Sequence, residues 1–263
     1  MELTLTTATS LLQKHIEKQE KKIKNDEVLN YFNHKIRHTY AVLFDTQRIL
    51  TYEKELFNTD VLKKKAEIAS LLHDIARFYQ NNWERILTNK EFEHGDAGYN
   101  ILKQEWITDL TILLAVKYHN KISLDVLYED KEYLACSEEK QKEIKLVSQV
   151  VRDSDKLQNL EYIIFSDRND IFLLDKDSKH INKKILDDFF YGKLIRNELV
   201  ISSADKVLAL AAWVFDLHFE TTKIFLKQAK FIDFIENKLK WMKVDENILD
   251  KVVFKLKEEL NDL

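Results

Sequence analysis

Four histidines stand in segments that are otherwise apolar and helical in period: His38 in IRHTYAV, His73 in IASLLHDIARF, His94 in EHGDAGYNIL and His119 in LLAVKYHNK. A lone imidazole in such a place is ordinarily a half-buried side chain hydrogen-bonded to a neighbour. Here the company of carboxylates points to a metal. His73 and Asp74 are adjacent, and neighbouring side chains on a helix diverge by about 100°, so imidazole and carboxylate flank one point on its surface. A divalent ion at that point takes both and still needs two or more ligands from other helices. His38 upstream and Asp155 in VVRDSDKLQNL downstream supply an imidazole and a carboxylate. Such a mixed nitrogen and oxygen set suits Mn, Fe, Co, Ni, Zn or Mg and leaves positions open for water and substrate.

Other residues fall around this set. Arg77 lies four residues after His73 and three after Asp74, on the same helical face, where it could clamp a phosphate oxygen or close a salt bridge. Arg37 and Arg152 are lesser candidates for the same work. Gly95 and Gly98 both follow His94, which suggests a close backbone approach or a tight turn that aims the imidazole inward. His34, one turn before His38, is expected to be exposed or supporting. His15 and His180, set among lysines and polar residues, read as surface. Trp213, Phe215, Leu217 and Phe219 read as core, with Asp216 and His218 in packing or supporting places.

The elements that must position these side chains are helices. The 263-residue chain has no proline and three glycines, so the punctuation of turns and strand edges is missing while helix formers abound. Apolar residues recur at three and four throughout, predicting helices near 4–24, 26–57, 60–79, 94–105, 108–120, 137–165, 179–191, 203–228, 230–242 and 245–261. Asp26, Asp60, Thr108, Ser137 and Ser203 stand where helix caps are expected. Gln80–Glu93 and Ile122–Cys136 read as loops or short irregular helices. With no repeat, linker or composition shift, the chain reads as a single all-α domain over 1–263: a motif-bearing core at about 26–165 with helices of 179–261 packed on it. Basic and acidic residues number 41 and 45, which leaves no electrostatic footprint for stable nucleic-acid or membrane binding. Cys136 alone excludes an internal disulfide, and the absence of a leader-like start or a long apolar run suggests a cytoplasmic protein.

Taken in order, H…HD…H…H…D with SLLHDIARF, EHGDAG, VKYHN and RDSDKL resembles the HD superfamily of metal-dependent phosphohydrolases over about residues 30–165. It closely matches small bacterial members whose motifs read approximately LLHDIGRF, HG..G..IL, I..HN and RDADKLD. It implies an HD-type helical bundle in which His38, His73, Asp74 and Asp155 bind the first metal. Asp153 is then left to a supporting or surface place, and Lys156 is the residue whose counterpart often points at substrate phosphate. Histidines placed like His94 and His119 bind a second ion in di-metal members, with Asp74 bridging. Asn120 departs from those members, some of which have a second histidine there, and Ala76 replaces a common glycine. With a single ion, His94 and His119 would line the pocket as phosphate donors or general acid.

The implied activity is hydrolysis of a phosphate ester or anhydride of a small molecule, a nucleotide first among them, by a metal-activated water. Asp74 would orient the water, and His94 or His119 with Lys156 and Arg77 would neutralise or protonate the leaving side. Alternatives are a metal nuclease on single strands, a di-iron oxygenase or a ligand-sensing module. A homodimer is compatible with all of them.

Overall fold

With so little glycine and proline, helix ends have to be made by side chains and by unusual backbone. The computed structural model describes residues 3–80, 93–166 and 180–261, and every regular element among them is a helix. Thr4 caps α1 (Leu5–Glu20), Asn25 caps α2 (Asp26–Tyr52), and Thr59 caps α3 (Asp60–Leu72). Asp109 caps α5 (Leu110–Tyr118), which follows α4 (His94–Gln104). The expected caps Asp26, Asp60, Thr108 and Ser203 are each one residue out. Asp26, Asp60 and Ser203 are first residues of their helices, where the two acids complement the positive end of the helix dipole. Ser137 does accept from the Lys140 amide, at 3.3 Å, opening α6 (Glu138–Phe165).

At the other ends, non-glycine residues take the left-handed conformation: Trp106 at φ 62° closes α4, and the Ile107 amide reaches back to the Leu102 carbonyl at 3.1 Å. Such a stop favours glycine, as at Gly192 with φ 69°, but at Trp106 it is built without one. The helix expected over 26–57 ends at Tyr52. Ile122–Cys136 holds a 3-10 segment, Leu124–Glu129, and one helical turn, Lys131–Leu134, as expected. Apart from its two ends, Gln80–Glu93 lies outside the described residues, as does residue 179 at the start of the helix expected there.

The chain forms two compact units, Met1–Gln158 and Asn159–Leu263. In the first, α3 packs against α1, α2 and α5, and α4 packs against α5. Residues Ile68–Leu72 of α3 and Thr111–Val116 of α5 are buried in unbroken runs, as helices surrounded on all sides must be. Each fully buried leucine there, Leu71, Leu72 or Leu114, contributes about 1.5–3 kcal/mol. In the second unit, α8 (Ser203–Ala211) packs with α7 (Lys183–Phe190) and with α10 (Phe231–Trp241). α10 in turn contacts α9 (Glu220–Gln228) and α11 (Glu246–Glu259).

The helix expected over 203–228 is two helices, α8 and α9, joined through a 3-10 segment, Ala212–Asp216. That change of pitch leaves Trp213, Phe215 and Leu217 half-buried, while Phe219 is in the core as expected. Asp216 and His218 lie near each other within this unit, 3.8 Å apart. No helix among the described residues is long and apolar enough to cross a membrane.

Candidate metal centre

The HD pair does not sit within a continuous helix, as the pattern over 60–79 predicts, but where one ends. α3 stops at Leu72, and His73 keeps helical angles. Asp74 turns into the bridge region at φ −101° and ψ 16°, and the chain continues as a 3-10 segment over Ile75–Tyr79. The cause is local: a helix end frees carbonyls, and the His73 ring folds back so that its Nδ1 donates to the Ser70 carbonyl at 2.7 Å. His119, at the end of α5, repeats the arrangement, donating from Nδ1 to the Val116 carbonyl at 2.7 Å. His38, inside α2, donates from Nδ1 to the Gln158 side-chain oxygen. In all three rings the proton on Nδ1 leaves the Nε2 lone pair aimed inward.

Those nitrogens converge on the two oxygens of Asp74. Oδ2 stands 3.6 Å from His38 Nε2 and 3.7 Å from His73 Nε2, and Asp155 Oδ1 completes this lobe at 3.1 Å from His38 and 3.8 Å from His73. Oδ1 stands 3.4 Å from His94 Nε2 and 3.6 Å from His119 Nε2, which are themselves 3.1 Å apart. Two ligands about 2.1 Å from one cation lie about 3.0–4.2 Å apart, and these separations fall in that range. His38, His73 and Asp155, and likewise His73, Asp74 and His119, offer ligand atoms mutually within 4.8 Å. Nε2 of His38 and of His73 is buried without a well-formed hydrogen bond, a costly arrangement that a cation would relieve. The donor set therefore fits a divalent metal.

Electrostatics agree. Burial lowers the His73 pKa to about 4 and that of His94 to about 2, so both imidazoles are neutral ligands at pH 7. Burial pushes the Asp74 carboxyl up, but the Lys35 ammonium and the surrounding imidazoles overcome it and hold the group well below its usual range. For Asp155 the opposition to burial comes first from His38, with the same downward outcome. Both carboxylates are thus anionic and ready for a cation. Each Asp74 oxygen already has a cationic side chain nearby: Lys35 Nζ lies 3.0 Å from Oδ2, and Arg77 Nε lies 3.7 Å from Oδ1.

A second layer fixes the helices beneath. The Thr46 hydroxyl of α2 joins Ser70 of α3 at 2.7 Å and Ser154 of α6 at 2.9 Å, tying three ligand-bearing helices through buried hydroxyls. Arg152 is buried and donates to the carbonyls of Tyr118, His119 and Lys121 at 2.7–3.0 Å. It therefore holds the end of α5 and with it His119, a structural post rather than the phosphate contact considered above. Gly95 lets α4 meet that same end: a Cβ there would stand 2.4 Å from the Lys117 carbonyl oxygen. At Gly98 a Cβ would stand 3.0 Å from Val116.

The structure thus brings His38, His73, Asp74, Asp155, His94 and His119 together, with Arg77 at the edge. Lys156 follows Asp155 and is partly exposed; Arg37 is exposed. His34 is half-buried, its ring stacked 6.4 Å from that of His38, and Asp153 is fully buried, not on the helix surface. His180 is exposed as expected. His15 is not: it is buried, meeting the Tyr79 hydroxyl and Glu105. Its lysine neighbours in sequence hid the fact that it shares the buried face of α1 with Ala8, Leu12 and Ile16. Lys35 and Gln158 escaped notice, although each stands three residues from a ligand, His38 and Asp155, on the same helix face.

With this geometry in view, comparison with known proteins gives the class. The model of the HD domain family matches residues 36–160, and this stretch of the chain belongs to that family. Neither the curated proteins nor the solved structures contain a match to the chain.

Proposed function

We propose that the protein is a metal-dependent phosphohydrolase acting on a phosphate ester or anhydride of a small molecule, with a nucleotide as the leading candidate. Members of the HD family are in general metal-dependent hydrolases. The observation that carries the reading is Asp74, whose two oxygens each face a pair of inward-aimed imidazoles. His38, His73, Asp74 and Asp155 would hold the first ion, and His94 and His119 with Asp74 a second. Bound there, a divalent cation supplies Lewis-acid charge that activates water and shares the charge of the phosphoryl oxygens.

The chain's own groups do the rest. Asp74, anionic and held between the lobes, orients the attacking water. His94, neutral at pH 7, serves as ligand or hydrogen-bonding group rather than as a source of protons. Positive charge against the phosphate falls to Lys156 and Arg77. The two lobes also suit a di-iron oxygenase, which consumption of dioxygen by iron-loaded protein would reveal. The deciding experiment is phosphate release from nucleotide and phosphoester panels with Mn, Fe, Co, Ni, Zn and Mg, beside Asp74→Ala. Turnover lost in that variant supports the proposal; no turnover with any metal, or an active variant, refutes it.

A further inference from the structure

Three of the four imidazoles facing Asp74 give their Nδ1 proton to an oxygen. His94 differs. Its Nδ1 faces the Asn120 carboxamide nitrogen at 3.2 Å, and an amide nitrogen only donates. In that arrangement the His94 proton sits on Nε2, bonded to His119 Nε2 at 3.1 Å, and no lone pair is left for an ion. The rest of the carboxamide is equally telling. Asn120 Oδ1 is buried without a partner, and both it and the Lys117 carbonyl oxygen lie 2.4 Å from the point where a Cβ on residue 95 would stand. Half a turn of the carboxamide exchanges its oxygen and nitrogen without changing its shape. His94 Nδ1–H then gains an acceptor, the oxygen left buried without a partner acquires one, and His94 Nε2 is freed toward Asp74.

We propose that Asn120 is the positioning residue of the second lobe, its carboxamide taking two orientations. The nitrogen faces His94 when the lobe is empty, and the oxygen faces it when a divalent cation is held. Net charge on His94 is unchanged; only the nitrogen that carries the proton differs. Asparagine suits this because it presents a donor and an acceptor from one shape, whereas a carboxylate could only accept. The inference rests on the second-ion reading above.

The test follows the His94 ring nitrogens by long-range proton–nitrogen correlation spectra of labelled protein, without metal and loaded with Zn, with ion stoichiometry measured alongside. Wild type should carry the proton on Nε2 when metal-free and on Nδ1 when loaded. Asn120→Asp should show the Nδ1 form in both states and keep the second ion. Asn120→Ala should lose about tenfold or more in affinity for the second ion alone. A single unchanging tautomer in wild type that holds both ions, or wild-type second-ion affinity in Asn120→Ala, overturns the proposal. Should wild type bind one ion only, the second-ion reading fails by itself. The Asn120 inference is then decided by the metal-free spectra: the Nε2 form in wild type against the Nδ1 form in Asn120→Asp sustains it, and one tautomer in both overturns it.

Discussion

A carboxylate has two oxygens, and at Asp74 each faces a different pair of histidines, so its loss falls on both lobes whereas loss of Asp155 falls on one. Asp74→Ala is accordingly expected to weaken divalent binding by about 100-fold or more at every site, and Asp155→Ala to spare the His94 and His119 lobe, as read by equilibrium dialysis with elemental analysis. An Asp74 variant that still loads ions would contradict this. Lys35 makes the opposite prediction. Its ammonium lies 3.0 Å from Asp74 Oδ2, where it competes with a cation, so Lys35→Met should tighten metal binding about tenfold in calorimetric titration; weaker binding would show that the lysine supports the site. The histidines were legible because imidazole is out of place in an apolar helical run, and Asp155 rather than Asp153 through the resemblance of RDSDKL to the family motif. Lys35 and Gln158 were not, because lysine and glutamine are ordinary on any helix face, and only the fold shows which face looks inward.

Among the elements, the helix ends do the positioning. His73 and His119 occupy equivalent places, each donating to a carbonyl three residues back, and the Arg152 guanidinium holds the second of these ends. α4 reaches that end only because residue 95 has no side chain, so Gly95→Ala should push α4 from α5, costing about 1–3 kcal/mol in urea unfolding and weakening the second ion selectively. Wild-type stability and stoichiometry in that variant would exclude the close approach as a requirement. Periodicity made most helices legible, and ends less so. The break at Asp74 has no proline or glycine to announce it, since it comes from a ring folding onto backbone. The same holds for the stop at Trp106, a residue whose type gives no hint of a left-handed conformation.

For the molecule as a whole, burying uncharged imidazole ties stability to pH. The folded His73 pKa lies at about 4 against an ordinary 6.5, so between those values the unfolded chain binds the proton and the folded one does not. Stability of metal-free protein therefore falls as pH drops through that window, by about 3 kcal/mol from this group. Asp74, held low, acts in the same direction at more acid pH: its contribution is full above the ordinary carboxylate range and lost as pH falls further. A urea midpoint unchanged between pH 7 and 4.5 would contradict the His73 contribution. We also propose that the chain behaves as a single folding domain, since no linker or composition shift divides its sequence. Calorimetry should then show one transition that metal raises as a whole, by about 2.7 kcal/mol at a hundredfold excess over Kd; two transitions of which metal moves one would refute it.

The convergence of His38, His73, Asp74 and Asp155 on one cation is tested most directly by anomalous diffraction from crystals grown with Mn. The expected result is a peak within about 2.0–2.3 Å of a ligand atom on each of the four residues. Well-ordered density for these side chains with no peak between them would contradict the account.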